Sequence, residues 1–217
     1  MPGIPGPKAA DNLYRFRQHP WTFYQQAVYT LDQADTWNPI KKFPAAPTDG
    51  PSTYLKWMVE QIWTEQLLAI VKHRRMIMTW TCCAFLLWDA MFHEGRFNAV
   101  LSKKEEDADE LVRRCKFIYD NIPKEVMPFK PDADPKYTEL RFPEIDSVIK
   151  GFPQGADQLR QYTCSRIVAD EMAFWPQARQ SFVSMKPTIE GGGKIVLLST
   201  RYPGFFREII EDLLEAA

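Results

Sequence analysis

The chain has 217 residues, room for one large α/β domain or a core with a small appendage. Hydrophobic residues make up 45%, enough for a substantial core, and the formal net charge is -1, so no global basic field marks the chain for nucleic acid. No apolar run approaches the roughly 20 residues needed to cross a bilayer, and the opening Met-Pro-Gly-Ile-Pro-Gly-Pro lacks the charged and apolar regions of a signal peptide.

In chain order, residues 1–12 carry no periodic pattern. Residues 13–35 bear Leu13, Phe16, Trp21, Phe23, Val28 and Leu31, which predict one or two helices. Residues 38–53, with Pro39, Pro44, Pro47, Gly50 and Pro51, read as a connector. A helix is predicted over 54–65, a short buried strand over Leu67–Val71, a loop over Lys72–Met78 and an apolar helix over Thr79–His93, closed by Gly95. Phe97–Leu101 is the next strand. Ser102 then caps a helix over Lys103–Tyr119, whose early Glu105, Glu106 and Asp107 suit the positive helix start. Residues 122–136 hold four prolines and read as loose chain. Glu139–Phe142 and Ser147–Gly151 form a hairpin, and Gly155–Arg160 a turn. Strand Arg166–Asp170, helix Pro176–Ser184, a strand through Lys194–Ser199 after Gly191-Gly-Gly193, and helix Gly204–Leu214 complete the chain. This alternation predicts an α/β fold with a mostly parallel sheet and helices on both faces. Cys82, Cys83, Cys115 and Cys164 match neither a CxxC zinc pattern nor a disulfide framework, so they read as reduced packing residues of a cytosolic protein.

Three constellations carry chemistry. Lys72-His-Arg-Arg-Met-Ile-Met-Thr79 runs from a buried strand into an apolar helix, where free N–H groups and the helix dipole attract an anion. It fails the G-x-x-x-x-G-K-[ST] pattern, and only the Thr79 hydroxyl survives, so by itself it reads better as a cationic surface turn. Ile167-Val-Ala169 delivers Asp170 and Glu171 to a strand end, where one carboxylate suits a divalent cation and the next an attacking water. The competing reading is a helix N-cap. Ile195 to Leu198 deliver Ser199 and Thr200, hydroxyls that could sense a terminal phosphate or simply cap a turn. Carboxyl ends of buried parallel strands are where open α/β sheets bind ligands. The order of the three points to a nucleotide triphosphatase.

Lys72-x-Arg74-Arg75-Met76 with Thr79-Trp80, then Ala169-Asp-Glu-Met-Ala-Phe-Trp175, then Ser199-Thr200 resembles the ATPase portion of the large terminase subunit of tailed bacteriophages. The segment Phe152 to Tyr162 fits the same family, and the resemblance covers roughly residues 50–205. It implies a RecA-like P-loop fold over 51–217, with 1–50 as an N-terminal helical extension and Pro-rich connector. It implies ATP and Mg²⁺. Lys72 would stand at the start of a deviant Walker A loop, with the backbone of His73, Met76, Ile77, Met78 and Thr79 around the phosphates. Thr79 and Asp170 would hold the ion, Glu171 would be the catalytic carboxylate, and Arg74 or Arg75 an arginine finger in cis. Ser199-Thr200-Arg201 would be the coupling motif. Ile77 stands where the family often keeps Gly, and Arg201 departs from the family's last coupling residue.

The resemblance also implies double-stranded DNA, a portal protein and a small terminase subunit as partners, a homo-oligomeric ring, no membrane, and the cytoplasm of an infected bacterial host. Tyr54 and Gln61 precede the loop where such enzymes place an adenine-binding group; an amphipathic core helix is the alternative. His19, His73 and His93 lack zinc spacing. Only 18 of the 217 residues follow Ser199, too few for the nuclease domain of large terminases, so an isolated ATPase domain is expected. Two rival readings stay open: a superfamily 2 helicase-like ATPase and a nucleotide-independent scaffold.

Overall fold

The computed structural model describes residues 7–73, 76–155 and 157–215. The chain opens with α1 (Pro7–Gln18) and α2 (Pro20–Ala27), the latter started by a proline in its first turn. The chain does not stay helical to residue 35. β1 (Tyr29–Leu31) pairs antiparallel with β2 (Ile40–Lys42), inside the stretch expected to be a connector. Local turn chemistry explains this. The Asp35 carboxylate accepts the backbone N–H of Trp37 and Asn38, and Pro39 uses only its carbonyl, which accepts from Asp32 at 2.7 Å. The Lys41 ammonium and these two N–H groups hold the Asp35 carboxyl down at about 2.

After α3 (Ser52–Thr64), β3 (Leu67–Val71) enters the main sheet, and α4 (Met78–Phe92) and β4 (Phe97–Ser102) follow. Then come α5 (Glu105–Asp120), β5 (Asp134–Lys136), β6 (Glu139–Phe142) and β7 (Ser147–Pro153). β8 (Arg166–Asp170), α6 (Ala178–Met185), β9 (Lys194–Ser199) and α7 (Phe205–Glu215) end the chain. Ser102 does not cap α5. It stays in β4 with its side chain buried, and Lys104 precedes the helix without a side-chain cap. The acidic first turn supplies the favourable dipole charge instead.

The seven strands run in the order β3-β9-β8-β4-β7-β6-β5. β3, β9, β8, β4 and β7 are mutually parallel, and β6 and β5 add an antiparallel edge. The fold is therefore the expected mixed α/β architecture. All of β8 is buried, as an apolar central strand of a parallel sheet must be. Alternation divides its neighbours between two cores. Val100, Val168, Val196 and Leu198 face the helices α1 to α5. Leu101, Ile167, Ala169, Ile195 and Leu197 face α6 and α7.

α4 is apolar nearly all round because it is covered on every side. The Trp88 indole N–H donates to the Phe16 carbonyl at 2.6 Å, and the Tyr24 hydroxyl to the Thr81 carbonyl. These bonds dock α1 and α2 on α4. The four cysteines are free and buried, in line with their reading as packing residues. Gly193 ahead of β9 is required by close approach: a Cβ there would lie 2.2 Å from the Cys164 carbonyl oxygen. Among the described residues no helix is long and apolar enough to cross a membrane.

Candidate functional site

Parallel register brings the polar ends of β3, β8 and β9 together. Val71 pairs with Ser199, and Asp170 with Leu198. The first loop residue is tied to this edge, since Lys72 N–H donates to the Ser199 carbonyl at 2.8 Å. The loop then enters α4 through Ile77, which sits in the left-handed region at φ 57. A β-branched residue rarely takes that conformation, and it is where glycine is at ease. The Ile77 carbonyl accepts both the backbone N–H and the hydroxyl of Thr81, which fixes the turn from its helical side. On the other side, the Tyr54 hydroxyl donates to the Met76 carbonyl at 3.3 Å. The Met76 N–H donates to the His73 carbonyl at 3.0 Å.

The Lys72 side chain does not point to solvent. Its ammonium donates to Thr79 Oγ1 at 2.8 Å and to Asp170 Oδ1 at 2.9 Å, and lies 3.1 Å from Glu171 Oε1. An ammonium carries three N–H groups, and three oxygens surround it. Burial works against the Lys72 charge, but Asp170 and Glu171 outweigh it and hold the group above its ordinary value. For Asp170, burial dominates and pulls the carboxyl up, against the pull of Lys72.

Asp170 is positioned from behind. The Trp175 indole N–H donates to the Asp170 carbonyl at 3.0 Å. Glu171 then takes a left-handed backbone, φ 53, which turns its carboxylate back over the strand ends. Ser199 completes the arrangement: its Oγ accepts the Ala173 N–H at 3.1 Å and donates to Glu171 Oε2 at 3.4 Å.

Lys72, Thr79, Asp170, Glu171 and Ser199 are thus brought together. Thr200 is half-buried beside them, and Arg201 is exposed. Arg74 and Arg75 lie outside the described residues. Tyr54 and Gln61 do not line the cleft beside Lys72. That cleft has a volume of about 400 Å³, and its far wall comes from Ser102, Lys103, Asp107, Glu110 and Arg114. From the sequence alone, Lys103, Asp107, Glu110 and Arg114 carry no site role. The available signal was the spacing of 107, 110 and 114, which places those side chains on one side of α5. A larger cavity of about 860 Å³ lies beside the amino ends of β8 and β9, between Tyr162 and α6. The carboxylate–ammonium cluster is at the other end of the strands, and chemistry follows the cluster.

Among the described residues, three cationic and four acidic side chains line the cleft. That balance leaves room for a divalent cation beside an anionic ligand. The donor set fits Mg²⁺. Thr79 Oγ1 lies 3.4 and 3.5 Å from the two Asp170 oxygens. Adjacent ligands at about 2.0–2.1 Å from an octahedral ion stand about 2.9 Å apart, so the two groups must close by about half an ångström to share one. No group of three or more His, Cys, Asp or Glu able to hold a metal occurs among the described residues. Mg²⁺ needs none, because it takes one or two carboxylates and completes its shell with phosphate and water.

The parallel order, the glycine-like turn into α4 and the acidic end of the central strand define a RecA-like α/β fold. The comparisons with known proteins agree on the particular version. No family model and no curated protein sequence matches the chain. Solved structures do. The HK97 bacteriophage large terminase superposes with TM-score 0.70 at 11% identity, over 92% of this chain and 41% of that one. The large terminase of a thermophilic bacteriophage gives 0.54 at 12% identity, over 76% and 42%. An arginine-to-alanine variant of the Thermus phage P74-26 large terminase ATPase domain gives 0.50 at 15%, over 65% and 62%. The chain therefore spans under two-thirds of the length of each of these proteins, and its fold is large-terminase-like.

Proposed function

We propose that the chain is an ATPase that hydrolyses Mg²⁺·ATP to drive double-stranded viral DNA into a procapsid. One observation carries this reading: a buried lysine from the loop before α4 meets a hydroxyl and two adjacent carboxylates at the carboxyl ends of neighbouring parallel strands.

In this reading Lys72 is the cation of a deviant Walker A loop. It is the only lysine between residues 72 and 79. Tied to Asp170 and Glu171, it serves as their internal counter-ion, and an incoming β- or γ-phosphate competes for it. The backbone of His73, Met76, Ile77, Met78 and Thr79 wraps the phosphates at the helix start. Thr79 and Asp170 hold Mg²⁺, which neutralises charge on the phosphate oxygens when bound. Glu171 orients a water and accepts its proton. The water oxygen attacks the γ-phosphorus in line, and the bond to the bridging oxygen breaks to release ADP. Arg74 or Arg75 stabilises the charge of the transition state in cis. The Ser199 hydroxyl on Glu171 passes the state of the site to Thr200, Arg201 and the chain beyond. Tyr54 braces the loop through Met76, and with Gln61 it remains the candidate adenine contact. Residues 51–217 form the ATPase unit, with 1–50 as an extension. Work is done in a homo-oligomeric ring with a portal protein and a small terminase subunit, in the cytoplasm of the infected host.

Isothermal titration with a non-hydrolysable ATP analogue and Mg²⁺ tests the reading. Saturable heat with a matching rise in melting temperature is expected. No heat and no thermal stabilisation would leave the nucleotide-independent scaffold.

A further inference from the structure

The far wall of the cleft holds a cation that neither the loop nor the strand ends supply. Arg114 projects from α5, half-buried, into the space lined by Lys72, Thr79, Asp170 and Glu171. Its guanidinium carbon lies 5.4 Å from the ring centroid of Trp80, the residue after Thr79. Its Nε donates to Glu110 Oε1, one turn back on α5, at a long 3.5 Å. A guanidinium has five N–H groups. Glu110 is the one acceptor it meets among the described residues, so the end of the fork is uncommitted.

The side chain also has room to move. Arg114 and Glu110 line both the cleft and a second cavity of about 290 Å³ beside Trp80 and Phe117. An arginine stacked on an indole and loosely tethered to one carboxylate keeps its plane while it exchanges acceptors. Its charge is already felt at Asp170, where it favours the ionised carboxyl. Fork geometry suits a phosphate's oxygens better than a single long bond to Glu110.

The geometry points to Arg114 as a cis contact to the terminal phosphate of the nucleotide, parked on Glu110 and Trp80 until that phosphate arrives. This rests on the nucleotide reading above and adds to it a residue that distinguishes triphosphate from diphosphate. Glu110 is then a positioning residue, a competitor for the guanidinium.

The test is titration of the wild type, Arg114→Ala and Arg114→Gln with a non-hydrolysable ATP analogue and with ADP, each with Mg²⁺. Circular dichroism confirms that the variants are folded. Both variants should lose roughly tenfold to a hundredfold in analogue affinity, the worth of one charge-assisted contact, with ADP affinity nearly unchanged. Glu110→Gln should tighten the analogue, because it frees the fork. Equal losses for both nucleotides, or no loss for either, would overturn the assignment of Arg114 alone. A wild-type chain that binds neither nucleotide overturns the nucleotide reading and this assignment with it.

Discussion

Lys72 Nζ and Asp170 Oδ1, ninety-eight residues apart in the chain, meet at 2.9 Å with both side chains almost fully buried. A pair this buried is costly to break from one side, because the surviving charge stays desolvated. Lys72→Ala leaves Asp170 facing only the Thr79 hydroxyl. Urea denaturation should register a loss of about 3 kcal/mol. Nucleotide affinity should also fall, measured by titration at a temperature where the variant is folded. Unchanged affinity would move the phosphate contact to Arg74 or Arg75.

Glu171 offers a cleaner separation of binding from chemistry. Its carboxylate contacts Lys72 and the Ser199 hydroxyl at the cleft's edge. Glu171→Gln keeps the shape and one acceptor oxygen for Lys72, with its NH₂ facing the Ser199 oxygen as donor, but cannot accept the proton of an attacking water. The variant should bind the ATP analogue as the wild type does and lose at least about a hundredfold in steady-state phosphate release. Normal turnover would remove Glu171 from its catalytic role.

Much of this was legible because buried strands announce themselves. Leu67–Val71 and Arg166–Asp170 are apolar runs cut off by charge, and both lie where periodicity placed them. The resemblance held at the level of fold, which survives at identities as low as 11–15%. Short-range chemistry was harder to read. β1 and β2 depend on Asp35 gathering two backbone N–H groups and Lys41, and no three-residue strand has a readable period. The α5 wall of the cleft was missed because Asp107, Glu110 and Arg114 look like any solvated helix face until the sheet places β4 beside β8. Trp175 was noted in the acidic string, but its bond to the Asp170 carbonyl is a matter of geometry alone.

Ile77 poses a question of competing costs. Its φ of 57 costs a β-branched residue about 1–2 kcal/mol, which glycine would not bear. Its side chain is half-buried against the core on α4, and removing it loses about 1 kcal/mol or more of burial and raises backbone entropy. The two sides nearly cancel. Ile77→Gly should change stability by less than about 1 kcal/mol, whereas Ile167→Gly in fully buried β8 should cost more than about 3 kcal/mol. Denaturation midpoints of the two variants check this. A similar large loss in both would mean that packing, not the left-handed turn, decides residue 77.

The pH dependence of stability follows from the buried thiols. Burial pushes Cys164 from its ordinary 9.0 up to about 11, with Thr188 opposing. The folded chain therefore keeps a proton that the unfolded chain releases. A raised folded value gives stability that is intact below pH 9 and lost as pH climbs toward 11. Over that window Cys164 accounts for about 3 kcal/mol. Cys82 is displaced in the same direction by burial, so it adds to the loss. Lys72 has the same sign, but its ordinary value of 10.5 delays its effect to the top of the window. Urea midpoints between pH 7 and 11 should stay level and then fall from pH 9, and Cys164→Ala should flatten the first part of the fall. If the midpoint held constant to pH 11 in the wild type, Cys164 would have to be ionising freely in the folded chain. Its near-zero exposure leaves no solvent to support that charge.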